Sequence, residues 1–306
     1  MLKIKLNGKK GVDYNATIDT YFDDFVMEGF PVFLGGKGQF DGKEILLLGP
    51  IVGKNTKALI LDGKNMVYEF NAHTLSGTLN KVTLATLGKS YKKGGEFKID
   101  KKGLITGTTD TIEISGLKIA NAKGDRGDVH DTIYALMGGA HESGGHADPT
   151  ELMKFVNAEG HKVKGTKKND SYRGTDHKDK IDLGKGNDLL NGKGGNDVLK
   201  GGKGKDTFEF DTKLGPNNVD KIKDFNPKDD TIHLSSTAFT GLDKGWLSND
   251  AFAVGPAAKD GNDRIIYNKS TGALSFDADG NGSGAAVQFA KLAKNLDVSA
   301  HDFFVI

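Results

Sequence analysis

The sequence predicts an α+β amino-terminal domain, then a parallel β-roll, then a β-rich carboxyl-terminal cap. Three observations carry this prediction. Five glycine-spaced blocks of nine residues follow one another without a gap from residue 165 to residue 209. Before residue 160, a helical stripe precedes strand-like runs and two further helices. After residue 211 come stretches suited to covering an open roll end, whose last strand would otherwise expose unpaired backbone. The expected domains are residues 1–160, 161–211 and 212–306.

Composition narrows the field. The chain has 306 residues and no cysteine, which excludes disulfide scaffolds, thiol chemistry and cysteine-ligated metal centres. Glycine is 43 of 306 while proline is only 6, so the excess belongs to neither collagen nor a proline-rich linker. Basic and acidic residues balance, at 20 against 20 through residue 160 and 22 against 21 after it. Neither half carries the basic excess that a nucleic-acid backbone requires. No apolar run reaches the roughly 18 residues of a membrane span. The opening MLKIKLNGKKGVDYN lacks the apolar core of a cleavable secretory signal.

In the amino-terminal domain, Ile18, Tyr21, Phe22, Phe25 and Val26 recur at helical spacing over residues 17–27, with Gly29 and Pro31 as terminators. Strand-like runs occupy residues 44–51, 57–62, 66–70, 74–86, 95–99 and 110–118. VHDTIYALM at 129–137 places Val129, Ile133 and Leu136 on one helix face, and a buried or surface helical role is expected for His130. The segment 148–160 reads as a capped helix, with Asp148 as N-cap, Pro149 at the first position, Glu151 completing a capping box and Gly160 as terminator. His141 and His146 lie in the glycine-rich loop GGAHESGGH, where a solvated loop is expected rather than a metal site.

The repeat blocks are GTKKNDSYR, GTDHKDKID, LGKGNDLLN, GKGGNDVLK and GGKGKDTFE. Aspartate holds the sixth place as Asp170, Asp179, Asp188, Asp197 and Asp206, and a large apolar residue the eighth as Tyr172, Ile181, Leu190, Leu199 and Phe208. Glycine holds the fourth place in the last three blocks, as Gly186, Gly195 and Gly204. Each glycine-rich half-block can turn tightly while the other half extends and buries one apolar side chain. Two blocks then make one turn, which stacks Asp170, Asp188 and Asp206 on one edge and Asp179 and Asp197 on the other. At a strand spacing near ~4.8 Å, neighbouring carboxylates repel by roughly 3 kcal/mol at an effective dielectric near 20. A cation with hard oxygen ligands and tolerant geometry, Ca2+, answers that repulsion. The first two blocks have Lys168 and His177 where glycine belongs, so sites drawing on them are expected to be weak or empty.

This repeat resembles the G-G-x-G-x-D-x-U-x nonapeptide of RTX proteins, the hemolysin-type calcium-binding repeat. The stretches DKIKDFNPKDDTIHL and DRIIYNKSTGALSFDADGNGSGAAVQFAKLA, with the closing DFFVI, also resemble the cap and export region of that family. The resemblance implies an extracellular or cell-surface protein exported by a type I (ABC) secretion apparatus through an uncleaved carboxyl-terminal signal. DADGNG, Asp277 to Gly282, copies half an EF-hand loop, but Gln288 stands at the twelfth position, so a polar hairpin turn is the expectation.

A second resemblance covers most of residues 15–160. The order TIDTYF, KNMVYEF, NAHTLSGTL, ISGLKI and DVHDTIYALMGG is similar to the haem-acquisition domain of HasA-type haemophores. It implies Tyr68 as a phenolate ligand of ferric haem and His73 as acceptor of its proton. No histidine precedes His73, so a second axial histidine is missing. Met66, Tyr68 and Phe70 alternate onto one strand face, which favours a core strand with Tyr68 packed inside and His73 as a turn residue capping backbone. The sequence lacks HExxH, G-x-S-x-G and P-loop motifs, so no enzymatic activity is expected. The functional expectations are a domain binding a cell-surface or matrix component, a haem carrier with its receptor, or a bacteriocin-like toxin.

Overall fold

The computed structural model describes residues 1–94, 96–139 and 145–306. It divides into two compact units, one of Leu2–Gly8 with Ala16–Ala158, the other of Met1, Lys9–Asn15 and Glu159–Ile306.

Among the described residues, the first unit has strands β1 (Leu2–Leu6), β2 (Val32–Gly35), β3 (Asp41–Leu48), β4 (Lys57–Glu69), β5 (Thr74–Thr86) and β6 (Thr109–Asn121). Its helices are α1 (Tyr14–Asp23, from Ala16 on), α2 (Asp128–Leu136) and α3 (Thr150–Asn157). The strands form an antiparallel sheet in the order β1-β6-β5-β4-β3-β2. Leu59, Leu61, Val82 and Leu84 are fully buried in it, and α2 packs on β5 and β6 with Val129, Ile133 and Leu136 equally buried. Each such side chain contributes about 1.5–3 kcal/mol.

Several local expectations change. β1 adds to the expected strands: in LKIKL the two lysines are exposed while Leu2, Ile4 and Leu6 alternate inward. α1 stops at Asp23 rather than 27: the Phe25 carbonyl takes the Ala147 N–H at 2.9 Å and Val26 bridges to His146, pairings that helical backbone cannot make. Residues 95–99 form no strand among the described residues. Phe97 and Ile99 make only isolated bridges, because the Lys98 backbone bonds to Ser90 and Thr106 on neighbouring turns. Pro149 rather than Asp148 stands at the N-cap of α3; Asp148, one residue earlier, accepts the Thr150 N–H at 2.8 Å, and hydrogen bonds from Thr150 hold its carboxyl below the ordinary range. Glu151 does not complete a capping box; its carboxylate pairs with Lys154 at 2.6 Å, one helical turn on.

The second unit contains β7 (His161–Lys164), β8 (Ser171–Arg173), β9 (Lys180–Lys185), β10 (Leu189–Asn191), β11 (Val198–Lys203), β12 (Thr207–Phe210), β13 (Asp220–Ile222) and β14 (Thr231–Leu234). It continues with β15 (Gly245–Trp246), β16 (Phe252–Val254), β17 (Ile265–Asn268), β18 (Ala273–Phe276), β19 (Val287–Lys291) and β20 (Phe303–Val305). Successive blocks alternate between two parallel ladders, β7-β9-β11-β13-β19 and β8-β10-β12-β14-β20. Two nonapeptides therefore make one turn, as their spacing predicts. The eighth-place side chains stack in register, Tyr172 on Leu190 on Phe208 and Ile181 on Leu199. Ile232 and Phe303 prolong the first stack, and Val163 and Ile222 the second.

The parallel ladders thus run on past residue 211. The edge of β8 is covered from an unexpected quarter, by Lys9–Asn15. Ser171 N–H donates to Val12 O at 3.0 Å and Arg173 N–H to Asn15 Oδ1 at 3.1 Å. Gly11 makes this approach possible, since at its φ of +98° a Cβ would lie 1.9 Å from Asn169 O. β17, β18 and β19 form an antiparallel meander. DADGNG is the polar loop of the β18–β19 hairpin. Asp279 accepts Gly284 N–H at 3.0 Å, and the Gln288 amide donates to Ala290 O at 3.1 Å along its own strand.

Candidate calcium ladders and a tyrosine and histidine pair

The sixth-place aspartates form two stacked ladders, one at each edge of the roll. On one edge, Asp170 N–H donates to Asp188 Oδ1 at 2.8 Å and Asp188 N–H to Asp206 Oδ1 at 3.0 Å. On the other, Asp179 N–H donates to Asp197 Oδ1 at 2.7 Å. All five are nearly inaccessible, the most exposed at 3%. Two residues that the sequence reading missed prolong these ladders. Asp206 N–H donates to Asp230 Oδ1 and Asp197 N–H to Asp220 Oδ1, both at 3.0 Å. Their signal was present, because DKI and DTI repeat the D-x-U of the blocks, but the steps of 23 and 24 residues break the nine-residue phase.

Glycine shapes the loops. Gly186, Gly195 and Gly204 have φ of +131°, +110° and +138°, and a Cβ on Gly204 would lie 1.8 Å from Gly186 O. First-place glycines leave room before the carboxylates: a Cβ would come within 2.3 Å of Asp179 Oδ2 at Gly174, 2.2 Å of Asp197 Oδ2 at Gly192 and 2.3 Å of Asp206 Oδ2 at Gly201.

The first two blocks satisfy their carboxylates differently. Thr166 donates to Asp170 from its N–H at 2.6 Å and its hydroxyl at 3.1 Å, and Val12 N–H adds a third bond at 2.7 Å. Thr175 likewise donates to Asp179 from its N–H at 2.7 Å and its hydroxyl at 3.3 Å, joined by His161 N–H. Asp188 Oδ2 and Asp197 Oδ2, by contrast, are buried with no donor directed at them. Burial, then the facing carboxylates of Asp206 and Asp170, push the Asp188 carboxyl up to about 7. Burial and Asp220 raise Asp197 strongly, and burial raises Asp179 and Asp206. Among the described residues no three His, Asp or Glu side chains form a metal cluster. A cation here would be held by stacked carboxylates together with the carbonyls of the glycine loops, hard oxygen donors that fit Ca2+.

In the first unit, Tyr68 and His73 flank the β4–β5 turn, and Tyr68 Oη lies 3.1 Å from His73 Nδ1. His73 is held at φ +50°, an uncommon conformation outside glycine. The core-strand reading of this face fails beyond Met66, which is fully buried. Tyr68 is half-buried and Phe70 is 54% exposed. Phe70 meets Tyr68 edge to face at 5.0 Å and Phe40 at 4.6 Å, and Phe33 packs on Phe40 at 6.3 Å.

The remaining histidines lie elsewhere. His130 is buried and satisfied, its Nδ1 accepting Leu75 N–H at 3.2 Å. His141 lies outside the described residues. His146 lines an open cavity of about 450 Å³ with Asp131, Tyr134, Asp148 and Glu151. Its acids already have partners, Arg126 for Asp131, Thr150 for Asp148 and Lys154 for Glu151.

Residues 164–210 match the family model of the RTX calcium-binding nonapeptide repeat in four copies. The chain therefore carries an RTX repeat array. Among solved structures, it is similar to the holo haemophore HasA of Yersinia pestis, at 16% identity over 52% of this chain and 89% of that one, with a TM-score of 0.38. A HasA mutant from Yersinia pseudotuberculosis gives 14% identity, the same coverages and a TM-score of 0.39. The AlgE6R3 subunit of the mannuronan C5-epimerase from Azotobacter vinelandii gives 24% identity over 47% of this chain and 77% of that one, with a TM-score of 0.33. No curated protein matches the chain.

Proposed function

We propose that the chain is a secreted calcium-binding protein, exported by a type I apparatus, whose first unit captures an extracellular ligand through Tyr68 and His73, with ferric haem as that ligand. It acts by binding rather than catalysis. In the roll, Asp188, Asp197 and Asp206, in loops shaped by Gly186, Gly195 and Gly204, are the calcium-holding positions, with Asp170 and Asp179 contributing less because threonines already occupy them. The observation that carries the haem reading is the 3.1 Å contact between Tyr68 Oη and His73 Nδ1. A phenol binds iron as phenolate, and a hydrogen-bonded imidazole beside it can take the proton. The residues present fit one axial oxygen ligand and no second histidine, and Phe33, Phe40 and Phe70 offer aromatic surface to a planar ligand. The exposure of Phe30, at 91%, and of Phe70 favours a second reading, a surface that binds a cell-surface or matrix component.

Haemin titration of the full chain, followed in the Soret region, tests the first reading. Tight binding with a tyrosinate-type spectrum is expected, Tyr68→Phe should abolish it, and His73→Ala should weaken it most at lower pH. Equal binding by Tyr68→Phe would remove Tyr68 as the iron ligand, and no binding by the wild-type chain would remove the haem role and leave the partner-binding surface.

A further inference from the structure

We infer that a further calcium site lies beyond the recognised repeats, between the carboxylates of Asp197 and Asp220. The inference rests on the reading of the roll as calcium-binding. The family match ends at residue 210, and Asp220 follows after a step of 23 residues instead of 18. The longer step is absorbed before β13, so that the roll geometry is restored. Val198 and Leu199 pair in parallel with Lys221 and Ile222 on one side just as they pair with Lys180 and Ile181 on the other. The carboxylate ladder is restored with it, since Asp197 N–H meets Asp220 Oδ1 at 3.0 Å as Asp179 N–H meets Asp197 Oδ1 at 2.7 Å.

Two features point to a ligand rather than to mere continuation of the stack. Asp197 is 1% exposed and no donor is directed at its Oδ2, so a carboxyl oxygen is buried facing another carboxyl group. That oxygen and its neighbour converge on one place: a Cβ on Gly192 would lie 2.2 Å from Asp197 Oδ2 and 2.9 Å from Asp220 Oδ2. Glycine keeps this place clear. Two inward carboxylate oxygens beside an unsubstituted backbone suit a hard dication with flexible coordination, Ca2+, better than the strict octahedron of Mg2+. A threonine hydroxyl of the kind that satisfies Asp170 and Asp179 is absent here, because the second place of this block is Lys193.

The test is calcium content per chain after equilibrium dialysis, for wild type and for Asp220→Asn, with folding checked by far-UV circular dichroism. Asparagine keeps the acceptor for Asp197 N–H and removes only the charge. The expected result is one calcium fewer per chain. An unchanged count at unchanged affinity overturns the inference. Terbium-loaded crystals of the wild-type chain serve where the variant does not fold. An anomalous peak between Asp197 and Asp220 supports the site, and peaks at Asp188 and Asp206 with none there overturn it. A wild-type chain that takes up no calcium at all would instead overturn the calcium reading of the whole roll.

Discussion

Gly204 and Gly194 show how differently two glycines of one repeat array are constrained. Gly204 turns at φ +138°, and a Cβ there would lie 1.8 Å from the Gly186 carbonyl oxygen, so alanine would strain the backbone and push two roll turns apart. Gly194 has an ordinary φ, and the nearest atom to its Cβ position is Asp176 Oδ1 at 3.3 Å, the end of a side chain that can yield. Gly204→Ala should therefore lower stability by at least ~2 kcal/mol, while Gly194→Ala should change it by no more than about 0.5 kcal/mol. Urea midpoints in saturating calcium check both, and similar losses at the two positions would contradict the argument. The same contrast separates the aspartates. Thr166 and Thr175 place a hydroxyl and an N–H on Asp170 and Asp179, whereas Asp188 and Asp197 keep one oxygen each without a donor. Lys168 and His177 marked the first two blocks as degraded, but nothing in the glycine pattern said that threonine at the second place would take over the carboxylate.

The two carboxylate ladders make the roll sensitive to pH when calcium is withdrawn. Burial first, and then neighbouring carboxylates, push Asp188 up to about 7 and Asp230 up to about 6, and raise Asp197 and Asp220 above the ordinary range. An aspartate in the unfolded chain titrates near ~3.9. Between that value and the raised ones, the folded roll therefore holds protons that the unfolded chain has lost, and stability must fall as pH rises. The calcium-free protein should lose about 4 kcal/mol or more of roll stability from pH 5 to pH 8. Calcium should reverse the sign, because protons compete with it for the same oxygens. Urea titrations in calcium-stripped buffer at both pH values decide this, and a calcium-free roll more stable at pH 8 would refute it. The ladders were legible in the sequence as far as Asp206, because an unbroken nine-residue phase needs no tertiary information. Asp220 and Asp230 were not, since insertions before β13 and β14 destroy the phase while parallel pairing restores the geometry. Lys9–Asn15 carries no repeat signature at all, so its place along β8 follows only from the fold. Tyr68 and His73 could be singled out through a family likeness, but strand alternation alone favoured Tyr68 inside the core.

The second unit closes on its last residues, which bears on how the whole chain reaches its destination. Phe303 and Val305 of β20 are no more than 1% exposed, paired on one side with β14 and on the other with β15. A segment held in that way can be read by an exporter only before the roll has formed. Under the calcium reading proposed above, stacked buried carboxylates disfavour the roll at neutral pH where calcium is scarce, as in a bacterial cytoplasm, and calcium favours it where it is plentiful. On the proposed route, export in the open state and folding outside would be two consequences of one set of charges. Deleting residues 250–306 removes β16 to β20, and with them both the segment proposed for recognition and the strands that close each ladder. In cells carrying the cognate type I exporter, the truncated chain should stay inside at close to its full amount, while the intact chain appears in the medium. Fractionation with immunodetection of the first unit measures this directly. Undiminished secretion of the truncated chain would show that recognition lies elsewhere, and would sever export from the charge ladders that hold the roll open.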